Sequence, residues 1–191
     1  MFVFYLLLSI YAICFILLGW IWYLIIKLYT DKHFRECPPC VPSLGKEKKI
    51  MIDSVSQMLN QSKKSMVVVD PGCGCGGLIK TLARRFPQHQ FIGIEWGGIV
   101  SKIAKIKTNK LTNVKILRQD FFEYDFGKCD IIVCFLMDSL MEKFGEKIIN
   151  DHQKKPQIII SNSFKIPNLT LVKEINTGNG LFFKNVYIYR I

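Results

Sequence analysis

Histidine is scarce in this chain, and its histidines form no metal-binding pattern. The 191 residues include three histidines, none at a spacing typical of metal ligands. The seven cysteines are odd in number and scattered, which is not typical of a disulfide framework and indicates a reducing compartment. Internal repeats and low-complexity tracts are absent as well. These absences favour one domain of ordinary size over a repeat array or a disulfide-stapled fold.

Cys37 and Cys40 form a C-x-x-C pair, a spacing found in redox and zinc sites. A redox pair needs its first cysteine at a helix N-terminus, and a zinc site needs two further ligands. Cys73 and Cys75 could supply the two further zinc ligands, but they lie in a glycine-rich turn shaped for another ligand. We therefore expect no metal.

Charge is missing from the first part of the chain. Phe2–Ile26 contains no charged side chain and is rich in Phe, Leu, Ile, Tyr and Trp. Its length suits a bilayer, which needs about 20 apolar residues. A cleavable signal peptide would have a positive start, a shorter apolar core and a small-x-small cleavage site, and this segment has none of them. Residues 1–30 are therefore predicted to form a single transmembrane anchor.

Acidic residues are outnumbered: Lys and Arg total 26 against 15 Asp and Glu, a formal net charge of +11. Lys27, Lys32 and Arg35 follow the apolar run, which predicts that the rest of the chain faces the cytoplasm or its topological equivalent. For a membrane-tied protein this charge favours anionic headgroups, with a nucleic-acid surface as the competing explanation. Residues 31–45 are predicted to be a linker containing Pro and Cys, and residues 46–191 a single domain.

The most informative stretch is Val67–Gly76, which is Val-Val-Val-Asp-Pro-Gly-Cys-Gly-Cys-Gly. A β-branched run, an acid and alternating glycines, followed by a helical pattern, predict a strand, a tight turn and a helix. Such a turn presents backbone N–H groups and a helix N-terminus to a ligand. Gly72, Gly74 and Gly77 fit the dinucleotide pattern G-x-G-x-x-G, with Glu95 where a ribose-binding acid is expected.

Asp70 favours a different cofactor. An acid at the strand end would repel a pyrophosphate, whereas it suits the amine and the sulfonium of S-adenosylmethionine. Asp70, Gly72, Gly74 and Gly76 resemble the D-x-G-x-G-x-G signature of class I S-adenosylmethionine-dependent methyltransferases. We prefer the methyltransferase interpretation, and an NAD-binding Rossmann protein is the alternative.

Two more acids, Glu95 and Asp120, follow predicted strands. Because ligands of open α/β sheets bind beyond the carboxyl ends of the strands, these acids and Asp70 should converge on one crevice. Glu95 would accept both ribose hydroxyls of the cofactor. The family resemblance implies that Asp120 takes the adenine amino group and that Phe121 covers the adenine ring.

The remaining pattern predicts a parallel sheet that ends in an antiparallel hairpin. Residues 130–135 and 157–161 are apolar enough for strands buried on both faces, and helical patterns lie between the strands. Leu169–Ile175 and Leu181–Tyr189 are β-like runs joined by a turn with an Asn-Gly signal. This ending resembles the last two strands of the seven-stranded, Rossmann-like α/β sheet of class I methyltransferases.

A narrower resemblance covers about Cys37 to the C-terminus. The apolar start, the linker Pro38–Ser43, the glycine motif and Ser161–Phe164 resemble the small membrane-anchored protein-lysine N-methyltransferases. Known members of that family modify the ATP synthase c subunit and the adenine nucleotide translocase. The resemblance implies that the substrate is a lysine of a membrane or membrane-adjacent protein, and that the bilayer is a partner of the N-terminal helix.

The acceptor mouth should form at the ends of predicted strands four and five, near Phe135, Leu136, Asn162 and Phe164. An apolar mouth lowers the pKa of a substrate lysine and so favours the neutral amine. The Asn-Pro-Pro-aromatic motif of many adenine and glutamine methyltransferases is absent after strand four, which argues against nucleic-acid bases. A methyltransferase for a small or lipid-like acceptor, and a binding module without catalysis, remain open.

Overall fold

The structure is a computed structural model that describes residues 2–30, 45–151, 157–178 and 185–191. The chain divides into two compact units, Met1–Pro39 and Cys40–Ile191. Cys37 and Cys40 lie outside the described residues, as does the predicted linker up to residue 44. The domain boundaries drawn from the sequence stay predictions.

The first unit contains the helix α1 (Phe2–Thr30). Its described large apolar side chains, at Phe4 and between Ile10 and Leu24, are exposed. Among the described residues, no helix meets the length and apolarity needed to cross a membrane. The predicted transmembrane anchor over residues 1–30 is therefore not supported by the structure.

The second unit is built around a seven-stranded sheet in the order β3-β2-β1-β4-β5-β7-β6. Strands β1 to β5 are parallel, and β7 pairs antiparallel with β5 and β6. The predicted Rossmann-like α/β sheet with a C-terminal antiparallel hairpin is confirmed. The strands are β1 (Val67–Pro71), β2 (Gln90–Ile94), β3 (Val114–Leu117), β4 (Ile131–Cys134), β5 (Ile158–Asn162), β6 (Leu171–Asn176) and β7 (Asn185–Arg190).

Helices cover both faces of this sheet. Successive strand residues point to opposite faces, so neighbours in β1 enter different clusters. In the described part of the unit, Val68 packs with residues of the helices α2 (Gly45–Gln61), α3 (Gly77–Arg85) and α4 (Gly98–Thr108). Val69 packs with residues of the helix α5 (Asp138–Asp151) on the other face. Burial on both faces explains the nearly continuous apolar runs in the strands.

The strand order reverses between β1 and β4, which pair through Val68 with Ile131 and Val69 with Ile132. Beyond the carboxyl ends of these strands the connecting loops leave in opposite directions, and this opens a crevice. The glycine turn follows β1 there, and residues 135–137 follow β4. The topology therefore puts the predicted cofactor turn beside the predicted acceptor mouth.

The final hairpin is only partly described. β7 begins at Asn185, and residues 179–184, which include part of the predicted Asn-Gly turn, are outside the described residues. At the described side of the turn, Gly178 has a φ of 94°, a conformation that suits glycine. Hydrogen bonding between β6 and β7 shifts register between Leu171 and Lys173.

Candidate functional site

Asp70 lies near the carboxyl end of β1, opposite Gly93 of β2, and only 5 % of its surface is exposed. Burial and the negative charge of Glu95 raise the pKa of Asp70 well above its ordinary value. Two carboxylates therefore act on the same small region of the crevice. A cationic group bound there would offset their repulsion, whereas a phosphate would add to it.

A tight turn of left-handed glycines follows β1. Gly72, Gly74 and Gly76 have φ angles of 75°, 53° and 72°, a region that other residues rarely adopt. The N–H groups of Gly72 and Cys73 both donate to the carbonyl oxygen of Ile94, at 2.8 and 2.9 Å. These bonds tie the turn to the end of β2 and hold its shape.

The glycine turn is also packed closely by its neighbours. A Cβ atom on Gly72 would lie 3.0 Å from Cδ2 of Leu136, and one on Gly76 would lie 3.2 Å from Cβ of Ala104. Helix α3 begins directly after Gly76, which offers its first N–H groups no side-chain cap. The N–H groups of Gly72, Cys73, Gly74 and Gly76 already donate within the protein, so it is the start of the helix that offers backbone N–H groups to a ligand with hydrogen-bond acceptors.

Glu95 follows β2 and is held between the glycine turn and the start of α4. Its Oε2 accepts a hydrogen bond from the N–H of Gly74 at 3.0 Å, and its Oε1 accepts one from the N–H of Gly97 at 2.7 Å. The N–H of Glu95 donates to the carbonyl oxygen of Leu117 at 3.0 Å. The structure thus fixes this carboxylate in the crevice and brings it together with Asp70.

Asp120 and Phe121 follow β3, one strand further from the crevice centre. Asp120 is exposed, and its Oδ1 accepts from the N–H of Phe122 at 2.9 Å, which caps a short 3-10 helix. The half-buried ring of Phe121 lies edge-on to Phe144 of α5, with 5.8 Å between centroids. Both residues stand at the same sheet edge as Glu95, and both also stabilise the loop locally.

Two parallel aromatic rings stand beyond the ends of β4 and β5. The centroids of Phe135 and Phe164 are 6.4 Å apart, and the ring planes are 9° from parallel. Asn162, the last residue of β5, is buried, and its Oδ1 accepts from the hydroxyl of Ser163 at 2.9 Å. Ser163 has a φ of 70°, which turns the chain sharply after the strand. The arrangement provides an apolar wall with a buried amide beside it.

Leu136 and Cys134 are buried residues at the carboxyl end of β4. Leu136 is buried and packs against the glycine turn, where a Cβ on Gly72 would lie 3.0 Å from its Cδ2; its place at the acceptor mouth stays a prediction. Burial raises the pKa of Cys134 to about 12, with a smaller contribution from the charge of Asp70, although a hydrogen bond with Ser161 opposes the shift. Cys134 is therefore a neutral thiol near neutral pH and not a reactive thiolate.

The predicted run Leu181–Tyr189 includes the start of β7, but the sequence did not indicate which residues that start would meet; the fold places it beside the end of β5. The carbonyl oxygen of Asn185 accepts from the N–H of Ser163 at 2.9 Å, and its Nδ2 donates to Oε1 of Glu174 at 2.7 Å. Nζ of Lys165 lies 3.4 Å from Oε2 of Glu174 and 5.3 Å from the ring centroid of Tyr187. Antiparallel pairing of β6 with β7 brings Glu174, Asn185 and Tyr187 together, and Lys165 reaches them from the chain after β5.

Comparison with known proteins gives a family match and more distant relatives. Residues 70–173 match the family profile of the ANTKMT methyltransferase domain. A protein-lysine N-methyltransferase of Saccharolobus islandicus (strain REY15A) is 29% identical over 159 residues, which are 80% of this chain and 95% of that protein. A tRNA (guanine-N(7)-)-methyltransferase of Oceanobacillus iheyensis is 33% identical over 96 residues, which are 49% of this chain and 43% of that protein.

Solved structures show the same fold. An RNA methyltransferase from Salinibacter ruber, in complex with S-adenosyl-L-homocysteine, has a TM-score of 0.68 and 18% identity, and the match covers 79% of this chain and 94% of that chain. The family match spans more than half of the present chain and includes Asp70, the glycine turn, Glu95 and Asp120. The chain therefore belongs to the ANTKMT methyltransferase domain family and is an S-adenosylmethionine-dependent methyltransferase.

Proposed function

We propose that the protein is a protein-lysine N-methyltransferase that modifies a membrane or membrane-adjacent protein. The observation that carries this proposal is the similarity to the Saccharolobus protein-lysine enzyme, which extends over 80% of this chain and 95% of that relative. An RNA acceptor has weaker support, because the tRNA enzyme matches 49% of this chain and 43% of its own length.

Asp70, Glu95, Asp120 and Phe121 are the residues that, with the glycine turn, we propose to hold S-adenosylmethionine. The buried carboxylate of Asp70 suits the cationic methionine end, and the fixed carboxylate of Glu95 suits two ribose hydroxyls. The left-handed glycines at positions 72, 74 and 76 let the backbone turn sharply beside the ligand. When bound, the cofactor supplies an electrophilic methyl group.

The acceptor lysine has to be neutral, because an ammonium group has no lone pair with which to accept a methyl group. Phe135 and Phe164 form an apolar wall that disfavours the charged form of an inserted lysine, so its proton passes to solvent more readily. The buried amide of Asn162 offers a polar partner beside that wall. These residues position the amine and exclude water.

The proposal extends to the location of the protein at a membrane, with the methyltransferase domain on the cytoplasmic or topologically equivalent side. Three observations support it: the uncharged run Phe2–Ile26, the exposed apolar side chains of α1, and the basic residues Lys27, Lys32 and Arg35. A helix that is apolar on all sides needs an apolar environment around it. A bilayer is the simplest such environment for this composition.

Incubation of membranes with the full chain and methyl-labelled S-adenosylmethionine tests this function. We expect the label in protein and, after acid hydrolysis, in methylated lysine. A Glu95→Ala variant controls for contaminating enzymes, since it should transfer little label. Label confined to lipid would support the small or lipid-like acceptor instead, label in RNA would support the weaker candidate, and bound cofactor without transfer would indicate a binding module.

A further inference from the structure

Helix α4 turns small residues inward and large apolar residues outward. Ile99, Ile103 and Ile106 share one side of the helix, at 77%, 36% and 71% exposure. An amphipathic helix in a globular domain normally has the opposite arrangement. The buried side consists of Ser101, Ala104 and Thr108, at 1%, 0% and 5% exposure.

Close packing on the glycine turn explains the small inner side of α4. A Cβ on Gly76 would lie 3.2 Å from Cβ of Ala104, so a larger side chain at position 104 would not fit. The hydroxyls of Ser101 and Thr108 donate to carbonyl oxygens of the helix itself, those of Gly98 at 3.1 Å and Ala104 at 2.8 Å. The glycine turn thus accounts for the buried side but not for the exposed isoleucines.

The exposed side of α4 belongs to an apolar patch with a basic border. Trp96, just before the helix, is 43% exposed. In the described part of the second unit, this tryptophan and the three isoleucines are half of the eight large apolar side chains that are exposed. No acidic residue occurs between Glu95 and Asp120. We call this surface the Ile-Lys face; it consists of Trp96, Ile99, Ile103 and Ile106 with the exposed lysines Lys102, Lys105 and Lys107.

We propose that the Ile-Lys face docks on an anionic lipid bilayer, with the isoleucines in the headgroup boundary and the lysines on the phosphates. Apolar side chains bordered by lysines are what an interfacial helix presents to a membrane. Tryptophan is enriched at the same depth. Charge of a single sign favours an anionic surface over a protein of mixed charge, and each lysine near such a surface strengthens binding about fivefold.

Docking through this face has a consequence for the active site. Helix α4 begins beside Glu95, whose Oε1 accepts from the N–H of Gly97 at 2.7 Å. A bilayer on the Ile-Lys face would therefore hold the cofactor crevice close to the headgroups. The inference depends on residues of the second unit alone and is independent of α1 and of the identity of the acceptor.

Quenching of Trp96 fluorescence by brominated lipids tests this docking in the full chain. The chain has three tryptophans, and Trp20→Phe with Trp22→Phe leaves Trp96 as the reporter. The probes are vesicles of brominated phosphatidylcholine, alone or mixed in equal amounts with phosphatidylglycerol. We expect strong quenching in the mixed vesicles and weak quenching in the neutral ones. High salt should remove the difference, because it screens the lysine charges.

Charge reversal distinguishes the Ile-Lys face from the general positive charge of the protein. In the reporter chain, Lys102→Glu, Lys105→Glu and Lys107→Glu together should lower the quenching in mixed vesicles to the neutral level. A matched control reverses exposed lysines elsewhere, Lys63→Glu, Lys64→Glu and Lys143→Glu, and should keep the quenching. Equal quenching by both variants, or quenching that never depends on phosphatidylglycerol, would overturn the proposal.

Substitution of the exposed isoleucines tests the apolar contribution of the Ile-Lys face to docking. Ile99→Gln with Ile106→Gln alters two exposed positions, so the fold should be kept while the quenching falls. Measurement of the protein's molecular size in solution, without lipid, tests the competing explanation that the Ile-Lys face binds a second copy of the chain. Self-association that this pair of substitutions abolishes would assign the face to a second copy of the chain and overturn the lipid assignment.

Discussion

Asp70 is a buried acid close to a second acid, Glu95, and both circumstances disfavour its ionisation. Because burial and the charge of Glu95 raise its pKa, the ionised form is unfavourable in the ligand-free protein. A group whose folded pKa is raised contributes stability that is present below the unfolded pKa and is lost as pH rises through the folded pKa. The ligand-free protein should therefore lose stability as the pH rises from the unfolded pKa of Asp70 to its raised folded pKa. A cation bound beside Asp70 should restore that stability.

Asp70→Asn should abolish this loss of stability. In thermal unfolding without ligand, the midpoint of the wild-type protein should fall as pH rises through the raised pKa of Asp70, and that of the variant should not. At neutral pH the variant should bind S-adenosylmethionine about tenfold to a hundredfold more weakly, because a charged partner is lost. Asp53→Asn, at an exposed position of α2, is the control. Identical pH profiles for wild type and Asp70→Asn would contradict the assignment.

Glu95 makes a second prediction at the residue scale. Glu95→Gln places an amide where two N–H groups, of Gly74 and Gly97, now meet a carboxylate, and it removes the charge. The variant should lose about 1.5–3 kcal/mol of binding free energy for S-adenosylhomocysteine in calorimetric titration. Glu142→Gln, an exposed position of α5, should bind like the wild type. A preference of the wild-type protein for NAD in the same titration would refute the site as interpreted.

At the scale of elements, the glycine turn joins β1 to α3 and also supports α4. Gly76 has a φ of 72°, and its missing Cβ leaves the space that Ala104 occupies. Gly76→Ala should lower the free energy of unfolding by about 1–2 kcal/mol from the left-handed conformation. The contact with Ala104 adds to this loss. Chemical denaturation of the ligand-free protein measures the effect.

Gly77→Ala is the matched control for Gly76→Ala. Gly77 is the first residue of α3, and a Cβ there would lie 3.6 Å from Nζ of Lys48, an ordinary contact. Alanine favours a helix over glycine by up to about 1 kcal/mol, so stability should be unchanged or slightly higher. If both substitutions destabilise the protein equally, the close packing between the turn and α4 does not explain the glycine at position 76.

The loop after β5 carries the prediction for the acceptor. Phe164→Ala removes one of the two parallel rings and leaves the cofactor residues in place. The KM for a protein acceptor should rise while the affinity for S-adenosylhomocysteine stays the same. Phe121→Ala provides the contrast, because its ring is proposed to cover adenine and its loss should weaken cofactor binding instead.

At the scale of the whole molecule, the helix α1 and the methyltransferase domain belong to different compact units. Deletion of residues 1–30 should therefore spare cofactor binding. Methylation in membranes should fall sharply, because tethering to the membrane raises the effective concentration of targets there. Labelled transfer to membranes, compared between the full chain and the deletion at equal enzyme concentration, measures this. Equal transfer by the two proteins would contradict a role for α1 in targeting.

Local patterns determined much of this protein. The β-branched strand, the acid and the alternating glycines specify a strand, a turn and a helix through backbone sterics that act within ten residues, and Val67–Gly76 folds accordingly. The antiparallel pair β6 and β7 at the end of the chain was predicted in the same way, from two β-like runs and the Asn-Gly turn signal between them. The convergence of Asp70 and Glu95 was also predictable, since parallel strands deliver their carboxyl ends to one edge.

Only the tertiary structure decided which side chains face solvent and which residues from distant segments meet. Leu136 packs against the glycine turn, the start of β7 bonds to the chain just after β5, and α4 exposes its isoleucines. Each outcome depends on the distance between elements far apart in sequence. The helical period of Ile99, Ile103 and Ile106 predicts a helix but leaves the inward side open. The close approach of Ala104 to Gly76 decides which side of α4 faces inward, because only small residues fit there.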